Sequence, residues 1–170
     1  RQVFILPNNG NIIMAAQQCA HLTEKEIIVI PSKTVPQGIT AMMNADFECG
    51  DPQEMAQAMT ASLATVSTAQ ITYAARDSDF DGFAIHQGDY LALRDGKLFG
   101  TDPDENALLR ALAESAAQSD PSFLSLYYGE DVTEEQAAEA SAIFQAACPN
   151  AELSVLSGGQ PVYYYIISVE

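Results

Sequence analysis

Val3-Phe4-Ile5-Leu6 and Ile27-Ile28-Val29-Ile30 are two short apolar runs, and each is followed by a proline and a polar loop. A short apolar run bounded by turn residues is typical of a buried strand, whereas the residues between these two runs have the spacing of a helix. A strand, a helix and a second strand in this order form a βαβ unit with parallel strands. The sequence therefore predicts that the chain begins with a βαβ unit.

The two polar loops, residues 7–11 and residues 31–38, follow the carboxyl ends of these strands. Open α/β sheets place their ligand crevice at that edge, so we expect a ligand or a partner to bind there. The alternative is that the same side chains only cap helices and stabilise turns. The candidate binding residues are Asn8, Asn9, Asn11, Ser32, Lys33, Thr34 and Gln37.

Helix signals recur along the rest of the chain. We expect a first helix that runs to about Leu22 and turns one face inward, and a short one from about Gly38 to Asn44. Further helices are predicted after Asp51 and Asp102, which each precede a proline, and after the capping-box residue Thr133. The inward face of the first helix would consist of Ile12, Ile13, Ala16, Cys19 and Ala20.

Strand signals complete the prediction. Residues 69–75 alternate like a strand, residues 89–100 form a hairpin around Asp95-Gly96, and residues 123–156 repeat the strand, helix, strand order. The final run, residues 162–169, is apolar on both faces and therefore predicted to be an interior strand. The predicted class is α/β, with a βαβ start, a central antiparallel hairpin, a C-terminal βαβ-like part and an interior terminal strand.

The length of 170 residues suits one α/β domain over residues 1–170, with possible lobes at 1–100 and 101–170. The absence of an initiator Met suggests a fragment of a longer protein. Because 48% of the residues are apolar and no apolar run approaches the roughly 20 residues of a membrane span, we expect a globular chain without such a span.

The chain is strongly acidic, with 23 Asp and Glu against seven Lys and Arg and a formal net charge of −16. This charge would repel a phosphate backbone, so nucleic acid is not an expected partner. Acidity is also compatible either with a solvated surface alone or with docking of a basic protein. Three widely spaced cysteines favour reduced thiols and a cytoplasmic location over disulfides or zinc.

Catalytic motifs are not apparent in the sequence. Ser32-Lys33-Thr34 follows Pro31 and lacks the glycines that ring phosphates in a P-loop. His21 and His86 are the only histidines, and neither has a second histidine at metal-ligand spacing. The sequence therefore predicts no catalytic residue and no metal site, and gives little support to a free-standing hydrolase.

Several motifs together resemble a known family. They are Leu6-Pro7-Asn8-Asn9-Gly10-Asn11-Ile12, the loop Ile30 to Gly38, and Gly158-Gly159-Gln160-Pro161 ahead of the final strand. Gly88-Asp89-Tyr90 and Asp95-Gly96-Lys97 fit the same pattern. In this order they resemble the C-terminal domain of the catalytic subunit of bacterial fatty acid kinase. That family is dihydroxyacetone-kinase-like and is also called DAK phosphatase-like.

This resemblance implies a fold related to the DegV-type fatty-acid-binding proteins. It also implies that ATP and magnesium bind an N-terminal domain absent from these residues, and that no cofactor binds here. The partner it implies is the acyl-carrying fatty-acid-binding subunit. The resulting hypothesis is a domain that is not catalytic alone, in an ATP-dependent kinase that forms acyl phosphate. The alternative hypothesis is a small-molecule module that binds a carboxylate or a phosphate.

Overall fold

The first two strands, β1 (Gln2–Ile5) and β2 (Glu26–Val29), pair in parallel. They are seen in a computed structural model, which describes residues 2–80 and 82–170. Gln2 lies opposite Glu26, and the ladder continues past β2, where the Ile30 N–H donates to the Ile5 carbonyl over 2.9 Å. The predicted parallel start of the chain is confirmed.

The connection between β1 and β2 is less regular than predicted. Helix α1 covers only Ile13–Gln18, with 3-10 turns before it (Gly10–Ile12) and after it (Cys19–Leu22). The predicted inward face forms only in part, since Ile12 and Ala20 are exposed while the other three positions are half-buried. A sheet of two strands is too narrow to cover every apolar position of the connection.

Two helices complete the first part of the chain. Helix α2 (Val35–Met43) begins three residues before the predicted Gly38, because the Thr34 side chain accepts a hydrogen bond from the Gln37 N–H and caps it. Helix α3 (Pro52–Ser62) has the predicted cap at Asp51. The buried core consists of Ile28, Ile30, Ala41, Met55, Ala56, Met59 and Leu63, with Phe4 and Leu6 packed against it.

The rest of the chain is built on a six-stranded sheet. The strands are β3 (Ser67–Tyr73), β6 (Tyr90–Arg94), β7 (Lys97–Asp102), β8 (Phe123–Tyr128), β9 (Glu152–Ser157) and β10 (Tyr165–Val169). Their order is β7-β6-β3-β10-β8-β9, and only β8 and β9 pair in parallel. The predicted hairpin turn is confirmed at Asp95 and Gly96, both of which have positive φ. A separate small hairpin joins β4 (Ser78–Phe80) to β5 (Phe83–Ile85).

Helices α4 (Glu105–Ala117) and α5 (Glu134–Ala147) cover one face of this sheet. Strand β10 lies between β3 and β8, and its five residues are all buried, which confirms the interior terminal strand. The strand begins at Tyr165 rather than at Val162, which has a φ of 72° and cannot continue a strand. The large buried side chains of this core include Leu109, Leu112, Leu124, Leu126, Phe144 and Ile167.

Contact density divides the chain into two compact units, the first ending at Val66 and the second spanning Ser67–Glu170. The division does not fall at residue 100, where the sequence suggested a possible lobe boundary. Gly100 lies inside β7, which pairs with β6, so the central hairpin belongs to the same sheet as the C-terminal strands. The pairing of β3 with β10 joins residues 94 to 102 positions apart, so no local sequence pattern predicts it.

The interior position of β10 gives a stability prediction. Ile167 is 1% exposed, so Ile167→Ala leaves a cavity and lowers the free energy of unfolding by about 2–5 kcal/mol. Val155 in β9 is 39% exposed, and Val155→Ala serves as the control with a loss below about 1 kcal/mol. Chemical denaturation measures both variants, and equal losses would contradict an interior β10.

Candidate functional site

The two polar loops at the ends of β1 and β2 meet through one buried serine. The Ser32 hydroxyl donates to Asn8 Oδ1 over 2.7 Å and accepts from the Asn8 N–H over 3.0 Å. Ser32 is fully buried, and Asn8 has a φ of 55°, a left-handed conformation that asparagine tolerates. The adjacency of the loops is therefore a product of hydrogen bonding as well as of strand pairing.

Gly38, in the first half of α2, packs against the same asparagine. A Cβ at Gly38 would overlap with the side-chain amide of Asn8, so a glycine is required for the close approach of helix and loop. The loop after β1, the loop after β2 and α2 are thus joined around the Asn8 amide.

Three other predicted binding residues make internal hydrogen bonds. Asn9 Oδ1 accepts from the Asn11 N–H, and Thr34 caps α2. Gln37 uses both ends of its amide, accepting from the Lys33 N–H over 2.8 Å and donating to the Leu63 carbonyl over 3.1 Å. These hydrogen bonds agree with the alternative in which the polar side chains cap helices and stabilise turns. The role of these residues in binding stays a prediction.

Lys33 and Asn11 remain available at the surface. Both residues are exposed, and Lys33 lies beside the first loop, where a Cβ on Gly10 would be 3.8 Å from its Cγ. Among the residues that the structure describes, neither the Lys33 amine nor the Asn11 amide group makes a hydrogen bond or an ion pair. Lys33 is therefore the cation that the two loops can offer to an anionic group.

The backbone of the second loop is not arranged to surround a phosphate. The Ser32 N–H donates to the Ile30 carbonyl over 2.7 Å, the Lys33 N–H is taken by Gln37, and the Gln37 N–H by Thr34. Pro31 and Pro36 carry no N–H group. A phosphate loop needs several free N–H groups that point at one anion, and these five residues of the loop supply none.

An open cleft lies beside the Asn8 amide. It is lined by Leu6, Asn8, Gly38, Ile39, Met42 and Met43 and has a volume of about 420 Å³. This size falls within the roughly 300–1,000 Å³ of small-molecule pockets. Because its lining is mostly aliphatic and thioether groups, the cleft suits an apolar group better than a polar one.

Helix α2 also turns apolar side chains to solvent. Val35, Ile39, Met42 and Met43, which we call the α2 patch, are 47%, 38%, 47% and 80% exposed. The opposite face of α2 buries small residues, including Gly38 and Ala41. The sequence signal is an apolar spacing of four, three and one residues opposite these small residues. The predicted helix from about Gly38 to Asn44 contains Ile39, Met42 and Met43 but not Val35, and their exposure was not predicted.

Metal-binding clusters and membrane-spanning helices are not found in the described chain. Within residues 2–80 and 82–170, no three His, Cys, Asp or Glu side chains come together as a set that could hold a metal ion. No helix in that part of the chain has the length and apolar character needed to cross a membrane. The three cysteines are free thiols.

The serine between the loops gives a second stability prediction. Ser32→Ala leaves the Asn8 N–H and Oδ1 without their partner and lowers the free energy of unfolding by about 1–3 kcal/mol. Lys33→Ala, at the exposed neighbouring position, changes it by less than about 0.5 kcal/mol. Urea titration of both variants tests this, and a Ser32→Ala protein as stable as the parent would contradict a structural role for the hydroxyl.

Comparison with solved structures identifies the fold. The chain is similar to TM841 from Thermotoga maritima, described as revealing a fatty acid binding function, with a TM-score of 0.69, 12% identity and coverage of 99% of this chain and 68% of that one. The DegV family protein Cg2579 from Corynebacterium glutamicum has a TM-score of 0.67 and 15% identity, covering 99% of this chain and 73% of that one. The fatty acid kinase (Fak) B3 protein of Streptococcus pneumoniae, loaded with linoleic acid, has a TM-score of 0.64 and 12% identity, covering 98% of this chain and 70% of that one. The fold is therefore of the DegV type.

Comparison with protein sequences identifies the family. Protein YloV of Bacillus subtilis is 35% identical over 172 residues, covering 99% of this chain and 30% of YloV. SAUSA300_1119 of Staphylococcus aureus is 34% identical over 172 residues, covering all of this chain and 31% of that protein. The chain thus spans about 30% of the length of these relatives. The FakA-like C-terminal family, which is named for the fatty acid kinase protein FakA, matches residues 1–170, and the chain belongs to that family.

Proposed function

We propose that this chain is a docking domain of a fatty acid kinase, which engages an acyl-carrying fatty-acid-binding protein. In this proposal, phosphate passes from ATP to the carboxylate of the bound fatty acid and forms an acyl phosphate, while ATP and magnesium are held by another part of the protein. The chain itself contributes a binding surface rather than reacting groups. Membership in the FakA-like C-terminal family supports this role.

The observation that carries the proposal is the α2 patch. Contiguous exposed apolar residues are uncommon on protein surfaces unless a partner covers them. Methionine is frequent at such surfaces because its flexible thioether adapts to the partner, and Met42 and Met43 lie exposed at the C-terminal end of this one. The adjoining cleft offers a cavity into which an apolar side chain of the partner can insert.

The chemistry of the polar loops supports a role other than nucleotide binding. The N–H groups of Ser32, Lys33 and Gln37 are already paired, and the Ser32 hydroxyl is buried against Asn8. These groups stabilise the loops on which α2 begins. The polar residues at the edge of β1 and β2 therefore hold the α2 patch in place.

A charge placed in the α2 patch tests the docking proposal. Met43→Glu, at a position 80% exposed, should weaken binding of the fatty-acid-loaded partner at least tenfold, or about 1.4 kcal/mol, because the carboxylate must be desolvated. Calorimetry with the full-length kinase protein and the fatty-acid-binding protein of the same organism measures this.

Met14→Glu is the matched control for this measurement. Met14 is 71% exposed on α1 and lies outside the α2 patch, so this variant should bind within about twofold of the parent protein. If the double variant Ile39→Ser with Met43→Glu retained the parent affinity, the α2 patch would not be the docking surface.

A second candidate is a module that binds a small anionic ligand, either a carboxylate or a phosphate. The observation in its favour is the exposed Lys33 amine on the loop after β2, at the edge where α2 and the apolar cleft begin. Asn9 and Asn11 are exposed on the neighbouring loop. An amphiphile with an anionic head and an apolar chain would match this combination of groups.

Ligand titration separates this candidate from docking alone. If the loops bind a carboxylate, Lys33→Ala should weaken binding of a fluorescent fatty acid to the isolated chain about threefold to tenfold, because one charge-assisted interaction is lost. Lys25→Ala removes a lysine outside both loops and serves as the charge-matched control. Equal affinity for the parent and both lysine variants would contradict the anion site.

A further inference from the structure

Strand β9 forms one edge of the six-stranded sheet, and its backbone is paired on one side only. The Glu152 N–H donates to the Ser122 carbonyl, and the Gly158 N–H donates to the Tyr128 carbonyl, both over 2.9 Å. Because backbone groups alternate in direction along a strand, every second residue of β9 faces β8 and the residues between them face away. The residues whose N–H and carbonyl groups point away from the sheet are Leu153, Val155 and Ser157.

These outward backbone groups have no hydrogen-bond partner among the residues that the structure describes. All residues of β9 are exposed except Leu153, which is half-buried, and the strand pairs with β8 over its whole length without a register shift. Edge strands are usually protected by lysine, proline or a bulge. The sequence of β9, Glu-Leu-Ser-Val-Leu-Ser, contains none of these, so another strand can pair with it.

The opposite edge of the sheet, β7, is built differently. It begins at Lys97 and ends at Asp102, and its pairing with β6 has a register shift between Ala92 and Leu93. Strand β5 also contacts it. Charges, an irregular register and a neighbouring segment all hinder pairing with another chain. Of the two edges, β9 is therefore the one suited to the addition of a strand.

The charge distribution around β9 favours a second copy of this chain as the added strand. The chain has a formal net charge of −16, but it has no charged residue between Glu152 and Glu170. A strand without charge offers no ion pair to a basic or an acidic strand of another protein. It can pair with itself, since like charges do not face each other across the ladder.

We propose that two copies of this chain pair antiparallel through β9, with Val155 on the two-fold axis. In this register, Leu153 lies opposite Ser157 of the other copy, and each copy donates three hydrogen bonds and accepts three. An axis at Ser154 or Leu156 would leave one outward residue of each copy without a partner in β9. The register centred on Val155 is therefore the one that pairs every outward group.

The same register covers apolar side chains and separates the carboxylates. Val155 and Leu156 are 39% and 47% exposed. Val155 meets its equivalent directly, and the two Leu156 side chains are diagonal neighbours within reach of each other. Glu152 lies opposite Gly158 of the other copy, so the two Glu152 residues are about 20 Å apart at roughly 3.4 Å per residue. This separation exceeds the Debye length of about 8 Å at physiological ionic strength.

Sedimentation of the 170-residue chain tests the pairing. We expect a dimer in equilibrium with the 18.2 kDa monomer. Val155→Lys places two ammonium groups side by side on the axis and should weaken the association about tenfold or more, although it lowers the net negative charge of the chain. Edge strands tolerate lysine, so the variant should remain folded, which circular dichroism checks.

Gln118→Lys is the charge-matched control. Gln118 is exposed at the C-cap of α4, a helix that contacts β6 and β7. This variant should associate within about twofold of the parent chain. A parent chain that stays monomeric at its highest soluble concentration would overturn the proposal. A Val155→Lys chain that associates as tightly as the parent would overturn it as well.

Cysteine cross-linking tests the register. Val155→Cys brings two thiols together on the axis, where Cα atoms about 5.5 Å apart suit a disulfide. With diamide as the oxidant, the linked dimer should exceed that of the parent, which has three cysteines of its own. Glu152→Cys lies on the same strand but holds its thiols about 20 Å apart, so it should match the parent. Equal yields from the two variants would contradict the proposed pairing.

A strand of another protein is the alternative occupant of this edge. If the parent chain is monomeric and Val155→Lys abolishes binding of the fatty-acid-binding protein to the full-length kinase protein, β9 pairs with that protein and self-pairing is wrong. The inference does not rest on the docking function proposed above. Met43→Glu, which tests docking, should leave the self-association of the chain unchanged, so the two proposals can fail separately.

Discussion

The parallel pairing of β1 with β2 is the constraint on which the first unit depends. It places the loops after both strands at one edge, where the Ser32 hydroxyl joins them through two hydrogen bonds to Asn8. Helix α2 begins in the second of these loops and approaches the first at Gly38. The exposed apolar face of α2 is therefore positioned by buried polar contacts beneath it.

Polar and apolar side chains have different roles in the first unit. Most of the loop side chains make hydrogen bonds to the backbone or to each other. Of the predicted binding residues, Lys33 and Asn11 have side chains that make no hydrogen bond or ion pair to any residue that the structure describes. The surface they support is aliphatic and rich in methionine. A DegV-type fold in the FakA-like C-terminal family is thus combined with an exposed apolar helix face and an adjoining apolar cleft.

The second unit depends on a different constraint, the insertion of β10 between β3 and β8. The final strand closes the sheet and buries side chains on both faces. The same insertion places Tyr165 opposite Tyr128 and brings the Tyr164 ring into contact with Tyr73 and Tyr90. The packing of the core and the grouping of these rings therefore have a common origin.

Local signals in the sequence determined much of the fold. Thr133 with Gln136 forms the predicted capping box, Asp95-Gly96 forms the predicted turn, and the apolar runs form strands, because each pattern acts over a few residues. The family resemblance also followed from the ordered loop motifs, and it is confirmed. The boundaries of α2 and β10 shifted by three residues, since caps and backbone angles decide where elements start.

The candidate sites depended on tertiary structure. An apolar residue such as Met43 is equally compatible with a core and with an exposed patch, and only the packing of α2 through Gly38 and Ala41 shows which side faces solvent. Likewise, the sequence of β9 is compatible with an interior strand and with an edge strand, and only the order of the sheet shows that it lies at an edge. The sequence by itself determined the local elements and the family, whereas the sheet order and the exposed faces were decided by contacts between distant residues, which no local pattern records.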